Sequence, residues 1–284
     1  MKKQRIDKLL FEMGLAVSRE KASALIMAGC VYIGEVRIEK PGQLVADDSP
    51  VTVRTSGNPY VSRGGLKLEK ALVEFAISVE GKKALDVGAS TGGFTDCLLQ
   101  HGILQVYALD VGHGQMDPKI ARDPRVVHRE RVNVRHVLLS DFPGSFDLIT
   151  IDVSFIGLRL VLPVVKELLS GEGEIVALVK PQFEVGKGQV GKKGIVRDPE
   201  KQRQVLRKVI DFAQSIGLFF RGLIASPITG AKGNVEFLLH LTLTQSQTLT
   251  RENAATCEDT AQDAIEAQDA IERAIRQRDI LTTS

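Results

Sequence analysis

The segment Ala84-Leu-Asp-Val-Gly-Ala-Ser-Thr-Gly-Gly-Phe-Thr-Asp96 joins an apolar strand end to an acid, a Gly-rich turn and a helix start. Such a turn lets backbone N–H groups approach a ligand closely, and the helix N-terminus adds a dipole that favours negative charge. The spacing is Gly88-x-x-x-Gly92-Gly93 with Asp86 two residues ahead, not G-x-G-x-x-G. That shape suits S-adenosylmethionine better than a dinucleotide. The molecule has no pyrophosphate to cradle, but its amino-acid end can be held by Asp86 and the turn amides. An acid after the next strand is then expected to take the ribose hydroxyls. Asp110 ends Val106-Tyr-Ala-Leu-Asp and lies 22 residues after Gly88, the distance expected by analogy with dinucleotide folds. Val111 is expected to pack beside the adenine, with Glu130 to Asn133 closing the third strand nearby. The expected cofactor set is Asp86, Gly88, Ala89, Ser90, Thr91, Gly92, Gly93, Phe94, Asp110, Val111, Asn133 and Asp152.

A second group of residues bears on the reaction type. Asp152 ends the run Asp147-Leu-Ile-Thr-Ile-Asp and is followed by Val-Ser-Phe155. Methylation of base amino groups usually calls for Asn/Asp-Pro-Pro-aromatic at this place, and cytosine C5 methylation calls for a nucleophilic cysteine in a Pro-Cys context. The chain has neither. Lys180 ends Glu174-Ile-Val-Ala-Leu-Val-Lys, where an apolar strand leaves it poorly solvated, unlike an ordinary surface lysine. Lys67 lies just before the first strand of the alternating region, and Glu236 opens the last one. Lys67, Asp152, Lys180 and Glu236 are therefore expected to meet at the mouth of one crevice. Four unrelated structural ion-pair residues are the alternative.

The elements that would place these residues are legible in outline. Strand patterns at 83–87, 105–110, 125–130, 146–152, 174–180, 218–225 and 235–242 alternate with helical patterns near 93–101, 157–169 and 199–216. This order predicts an α/β, doubly wound, Rossmann-like domain with a mostly parallel sheet covered on both faces, and its final strand pair as an antiparallel edge. Ahead of it lies a small α+β unit. Ile6, Leu9, Leu10 and Met13 recur at helical spacing and Gly14 stops that helix. Ser18 N-caps a second helix with Ala22, Leu25 and Ile26 inward, and a hairpin turns about Gly34-Glu35. Turn formers near Arg54–Tyr60 separate the two. The expected boundaries are 1–55 for the small domain, 56–62 for a linker, 63–244 for the large domain and 245–284 for a polar acidic tail.

Composition narrows the class. Hydrophobic and charged fractions of 43% and 25% are those of an ordinary globular protein. No apolar run approaches the ~20 residues of a membrane helix, and the charged N-terminus lacks a signal-peptide core, so a cytoplasmic protein is expected. Cys30, Cys97 and Cys257 are far apart and form neither a metal spacing nor a disulfide framework, so no metal is expected. Residues 251–284 carry eight acids and four bases; with +2 overall, the first 250 residues carry +6. A mildly basic folded part is compatible with a nucleic-acid partner.

Arg5-Ile-Asp-Lys-Leu-Leu, Ser18-Arg-Glu-Lys-Ala and Leu25-Ile-x-Ala-Gly-Cys-Val-Tyr-Ile-Gly resemble an S4 RNA-binding domain. The resemblance implies that Arg5, Lys8, Arg19, Lys21 and Arg37 meet RNA phosphates, which position RNA without reading its sequence. A solvated helix face is the alternative. The Lys67, Asp152, Lys180, Glu236 set resembles the tetrad of FtsJ-like ribose 2′-O-methyltransferases. With the S4-like part in front, the chain from about residue 5 to 242 resembles the TlyA (hemolysin A) family of rRNA methyltransferases. The matching motifs include Tyr60-Val-Ser-Arg-Gly-Gly-Leu-Lys-Leu, Ile151-Asp-Val-Ser-Phe-Ile, Leu178-Val-Lys-Pro-Gln-Phe-Glu and Ser226-Pro-Ile-Thr-Gly-x-x-Gly-Asn-x-Glu-Phe-Leu. The resemblance implies S-adenosylmethionine-dependent methylation of a cytidine 2′-hydroxyl in ribosomal RNA or ribosomal subunits. It makes Lys180 the candidate to contact that hydroxyl, either as a neutral amine accepting the proton or as an ammonium stabilising the developing alkoxide.

Three expectations lie at the margins. Residues 181–197 are rich in glycine and carry Lys187, Lys192, Lys193 and Arg197. Together with Arg63 they are expected to meet RNA, as a loop that closes or as a plain surface loop. The repeat Ala261-Gln-Asp-Ala-Ile-Glu/Ala267-Gln-Asp-Ala-Ile-Glu predicts a helix, with Glu272–Arg276 as an i,i+4 pair, or a disordered tail, in either case without a catalytic role. The competing functions are a non-catalytic RNA-binding assembly factor and a membrane-active hemolysin. The absence of a basic amphipathic helix speaks against the second.

Overall fold

The structure is a computed structural model that describes residues 3–16, 18–27, 30–34, 36–38, 40–53, 58–186, 188, 190–191, 194–230, 233–244 and 257–283. The chain forms two compact units, Met1–Pro59 and Tyr60–Ser284.

The small unit runs β1 (Lys3–Arg5), α1 (Ile6–Glu12), α2 (Arg19–Met27), β2 (Val31–Ile33), β3 (Val36–Arg37), β4 (Leu44–Ala46) and β5 (Val51–Val53). Ile6, Leu9 and Leu10 of α1 meet Ala22 and Ile26 of α2 in a core of their own. Met13, expected on the same helical stripe, lies beyond the end of α1 and is half exposed. The Ser18 hydroxyl accepts the Lys21 N–H, as an N-cap should. The hairpin β2–β3 forms as expected, and β5 pairs with the other edge of β2. The pairing of β1 with β4, Lys3 opposite Ala46, has no counterpart in the sequence pattern.

The large unit runs α3 (Gly64–Glu74), β6 (Lys83–Val87), α4 (Gly93–Gln100), β7 (Gln105–Leu109), α5 (Pro118–Ala121), β8 (Val126–Arg129), β9 (Phe146–Ile151), α6 (Leu162–Leu168), β10 (Leu169–Val179), α7 (Pro181–Glu184), α8 (Pro199–Ser215), β11 (Phe219–Ala225), β12 (Phe237–Thr242) and α9 (Cys257–Thr283). One seven-stranded sheet has the order β11-β12-β10-β9-β6-β7-β8. Its strands are near-continuous runs of Val, Ile, Leu and Ala because helices cover both faces. The final pair forms the antiparallel edge that was expected. β12 is antiparallel to both neighbours and sits between β10 and β11, leaving β11 at the edge. The chain goes from β6 out to β7 and β8, then returns to the other side of β6 at β9. Such a reversal opens a crevice beyond the carboxyl ends of the strands.

Of the two forms expected for the C-terminal stretch, the helical one is present from Cys257 to Thr283. α9 packs on β11 and α8, burying Ala267, Ala270, Ile271, Ala274 and Ile275 in the same core as the sheet. Glu272 pairs with Arg203 of α8 at 2.9 Å, not with Arg276. Among the described residues no helix is long and apolar enough to cross a membrane.

Candidate active site

Gly88 follows β6 at φ +86°, and a methyl group there would stand 2.5 Å from the Asp152 carbonyl oxygen. Only glycine lets the ends of β6 and β9 meet so closely. The turn continues through Ser90, itself at positive φ, to Gly92 at φ +90°, which swings the chain into α4. The segment Val61–Gly64 lies against that helix start. Val61 N–H donates to Asp96 at 2.7 Å, and a methyl on Gly93 would stand 2.1 Å from the Ser62 hydroxyl.

Two cavities meet over this turn, and both are lined by Gly88, Ser90, Asp152, Ser154 and Phe155. The second, of about 430 Å³, has apolar walls from Leu109, Val111, Val132, Val134 and Ile156, with Asp110 and Asn133 at its polar side. The Asp110 carboxylate is oriented by the N–H groups of Ser90 (2.8 Å) and Gly112 (2.6 Å). The first, of about 390 Å³, takes in Ala89, Thr91, Gly93 and Phe94, and also Lys67, Lys180, Glu236 and Arg63.

The topology explains why four distant residues converge there. α3 buries Leu68, Ala71 and Leu72, and Lys67 lies on that same inward face. Lys180 is one residue past β10. Because β12 runs the other way, its beginning lies beside the end of β10, with Val179 opposite Phe237, so Glu236 arrives next to Lys180. The four residues form two pairs. Lys67 Nζ donates to Glu236 Oε2 at 2.5 Å, and Lys180 Nζ stands 2.5 Å from Asp152 Oδ1. Lys180 Nζ also donates to the Ser154 hydroxyl at 3.0 Å. Lys67, Lys180 and Glu236 are buried and Asp152 is partly so. An ammonium has three donors, so Lys180 keeps capacity for an oxygen in the cavity.

Two expected cofactor residues do not line either cavity. Asp86 is fully buried, and its oxygens accept the hydroxyls of Thr95 (2.7 Å) and Thr150 (2.9 Å). Burial pushes its carboxyl up to about 6, against the pull of the two threonine hydrogen bonds. It ties α4 to β9 beneath the turn. Gly92 shapes the backbone only.

In the small unit the Arg5 and Arg19 guanidinium groups both donate to Asp7, whose carboxyl is held down at about 2, chiefly by the Arg5 hydrogen bond. Lys8 pairs with Glu12, while Lys21 and Arg37 are exposed. Lys187, Lys192 and Lys193 lie outside the described residues.

Sequence reasoning missed Ser154, Phe155, Phe183 and Glu184. Phe155 is 91% exposed at φ +64°, and its ring centroid lies 5.0 Å from that of Phe183, both at the cavity wall. Glu184 accepts the Leu158 N–H at 2.7 Å and fixes the turn that follows Phe155, and burial raises its carboxyl above the ordinary range. The available signal was adjacency: Phe155 follows Asp152 closely, as Phe183 follows Lys180.

The fold and this geometry agree with known proteins. A profile of the FtsJ-like methyltransferases matches residues 60–243, and one of the S4 domain matches residues 4–49. The chain is 56% identical over 243 residues to YqxC of Bacillus subtilis (strain 168), provisionally named an rRNA methyltransferase, covering 84% of this chain and 86% of the relative. It is 46% identical over 241 residues to TlyA of Mycobacterium tuberculosis (strain ATCC 25618 / H37Rv), named a 16S/23S rRNA (cytidine-2′-O)-methyltransferase, covering 84% and 90%. A solved structure provisionally named a hemolysin, from Streptococcus thermophilus, is 41% identical with a TM-score of 0.73 and covers all of both chains. With both profiles in this order and the identity running through most of its length, the chain belongs to the TlyA (hemolysin A) family of FtsJ-like methyltransferases.

Proposed function

We propose that this protein is an S-adenosylmethionine-dependent methyltransferase that modifies a ribose 2′-hydroxyl, that of a cytidine, in ribosomal RNA. The observation that carries the reading is the meeting of the Lys67–Glu236 and Lys180–Asp152 pairs in a cavity continuous with the Gly88 turn. The donor set fits the cofactor. Asp110, fixed by two amides, offers an acceptor to a ribose diol, the walls around Val111 and Ile156 suit a purine, and Thr91 and the start of α4 offer N–H groups to a carboxylate. Bound there, S-adenosylmethionine supplies an electrophilic sulfonium methyl group. The protein's part is to aim the hydroxyl oxygen and deal with its proton, and alignment alone can supply ~7–11 kcal/mol of barrier reduction. Lys180, anchored between Asp152 and Ser154, is the group that contacts this oxygen. Lys67 and Glu236 line the same cavity. The exposed Phe155 beside Phe183 offers a stacking face for a base turned out of its RNA strand. The S4 unit holds RNA through Arg5 and Arg19, presented side by side by Asp7, and so raises the local concentration of substrate at the cavity. The test is incubation of the protein with tritiated-methyl S-adenosylmethionine and small or large ribosomal subunits, followed by nuclease digestion and mass spectrometry. Label on a ribose that disappears in Lys180→Ala supports the reading; label on a base, or none on any subunit or naked rRNA, refutes it.

A further inference from the structure

Asn234 lies two residues before Glu236, in the connection between β11 and β12, and is 3% exposed. Its side-chain amide works in both directions on one short stretch of backbone. Oδ1 accepts the Val196 N–H at 3.3 Å, and Nδ2 donates to the Gly194 carbonyl at 3.0 Å. Its own carbonyl accepts the Gly230 N–H at 2.8 Å, closing a turn in which Gly233 N–H also returns to the Gly230 carbonyl. Gly230 in turn sits directly on the Glu236 carboxylate: a methyl there would stand 2.0 Å from Oε1. The carboxylate is thus seated between the Gly230 backbone and the Lys67 ammonium. On the far side, the Val196 carbonyl accepts Gln202 Nε2 of α8 at 2.7 Å, and Gln202 Oε1 accepts Arg278 Nη1 of α9 at 3.0 Å. The chain of contacts runs from a helix beyond the family-matched stretch to the acid of the catalytic set.

We propose that Asn234 is a positioning residue for Glu236: by tying the end of the Gly-rich segment to the turn over Glu236, it sets where this carboxylate meets Lys67. The proposal rests on the reading of Glu236 as part of the methyl-transfer site. A buried amide satisfied by two backbone groups of another segment is rigid, and an active-site group displaced by about 1 Å can lose 100-fold in rate.

The test is a double-mutant cycle in the full-length protein, measuring kcat and KM with tritiated-methyl S-adenosylmethionine and ribosomal subunits. Asn234→Ala is expected to lower kcat by about 10- to 100-fold while KM for the cofactor stays unchanged. The double variant Asn234→Ala/Glu236→Gln is expected to be no slower than Glu236→Gln alone, because a residue that acts only through Glu236 has nothing left to lose. Asn234→Asp, which keeps the acceptor for Val196 and loses the donor to Gly194, serves as the second variant if the alanine protein does not fold, with the same non-additivity expected. Multiplying effects, or an unchanged kcat in the single Asn234 variants, overturn the proposal. A silent Glu236→Gln overturns the catalytic reading of Glu236 and the proposal with it, so the two failures are told apart by which single variant is silent.

Discussion

Replacing Asp86 by Asn should make the large unit more stable at neutral pH and hardly at all near pH 4. Asp86 is fully buried, its oxygens accept the Thr95 and Thr150 hydroxyls and the Thr95 backbone N–H, and burial pushes its carboxyl from 3.8 up to about 6. Between those values the folded chain keeps a proton that the unfolded chain has released. Stability therefore falls as pH rises through this window and levels off above it. The displacement corresponds to a cost of the order of 3 kcal/mol once both states are ionised. An Asn side chain has no such titration, and the Thr95 and Thr150 hydroxyls can rotate to accept from its amide, so little hydrogen bonding is lost. Urea unfolding followed by far-UV circular dichroism from about pH 4 to about pH 8 reads the difference, provided the transition of the large unit is fitted separately from that of the small one. The stability gap in favour of Asp86→Asn should open with rising pH by roughly that amount. A gap that stays constant, or closes as pH rises, refutes the reasoning. Cofactor affinity should change little, because the carboxylate lines neither cavity.

Other outcomes follow from the same geometry. Lys180→Arg keeps a cation between Asp152 and Ser154 but offers no neutral amine, so substantial retained turnover across a pH–rate profile would exclude proton abstraction by Lys180, while a loss of about 100-fold or more is expected if it is the base. Phe155→Ala removes a largely exposed ring and should leave the melting temperature and cofactor affinity intact. It should weaken productive RNA binding by ~1–3 kcal/mol in KM for ribosomal subunits, and unchanged kinetics would reject the stacking role. Asp7→Asn makes the small unit more positive, so charge alone predicts tighter RNA binding; lost orientation of Arg5 and Arg19 predicts weaker binding, and a titration at fixed salt decides. The same variant should lower stability at neutral pH, with the difference shrinking as pH falls from 3.8 through about 2, the range over which folded Asp7 itself takes up its proton.

Much of the site was legible because strand ends announce themselves. Asp110, Asp152 and Lys180 each close an apolar run, and in a doubly wound sheet such positions share one edge. Glu236 was placed at the start of its strand, and the antiparallel course of β12 makes that start adjoin the same edge. The rest depended on three-dimensional neighbours. Asp86 looked like a ligand because it precedes a Gly turn, but the two threonines that enclose it come from α4 and from β9, far along the chain. Phe155 was given no role beyond its motif, since its positive φ is imposed by the turn it occupies. In α9 the alanines read as helix formers, whereas Ala267, Ala270 and Ala274 also let the helix approach β11 and α8 closely, which only the docked partner reveals.

The insertion of β12 between β10 and β11 bears on how the molecule is made. β11 precedes β12 in the chain, yet in the finished sheet the two strands that β12 joins never touch each other. A folding chain must keep that slot open, and direct parallel pairing of β10 with β11 is the competing trap. When β12 enters, it completes both ladders in one event and carries Glu236 to Lys67 in the same movement. Chains that have collapsed without this strand hold the Gly88 turn and Asp110, the groups suited to the cofactor, but not the second lysine–carboxylate pair. Acquisition of methyl-transfer competence should therefore coincide with the closing of the sheet, later than acquisition of cofactor binding, and refolding kinetics followed by the two activities would separate in that order.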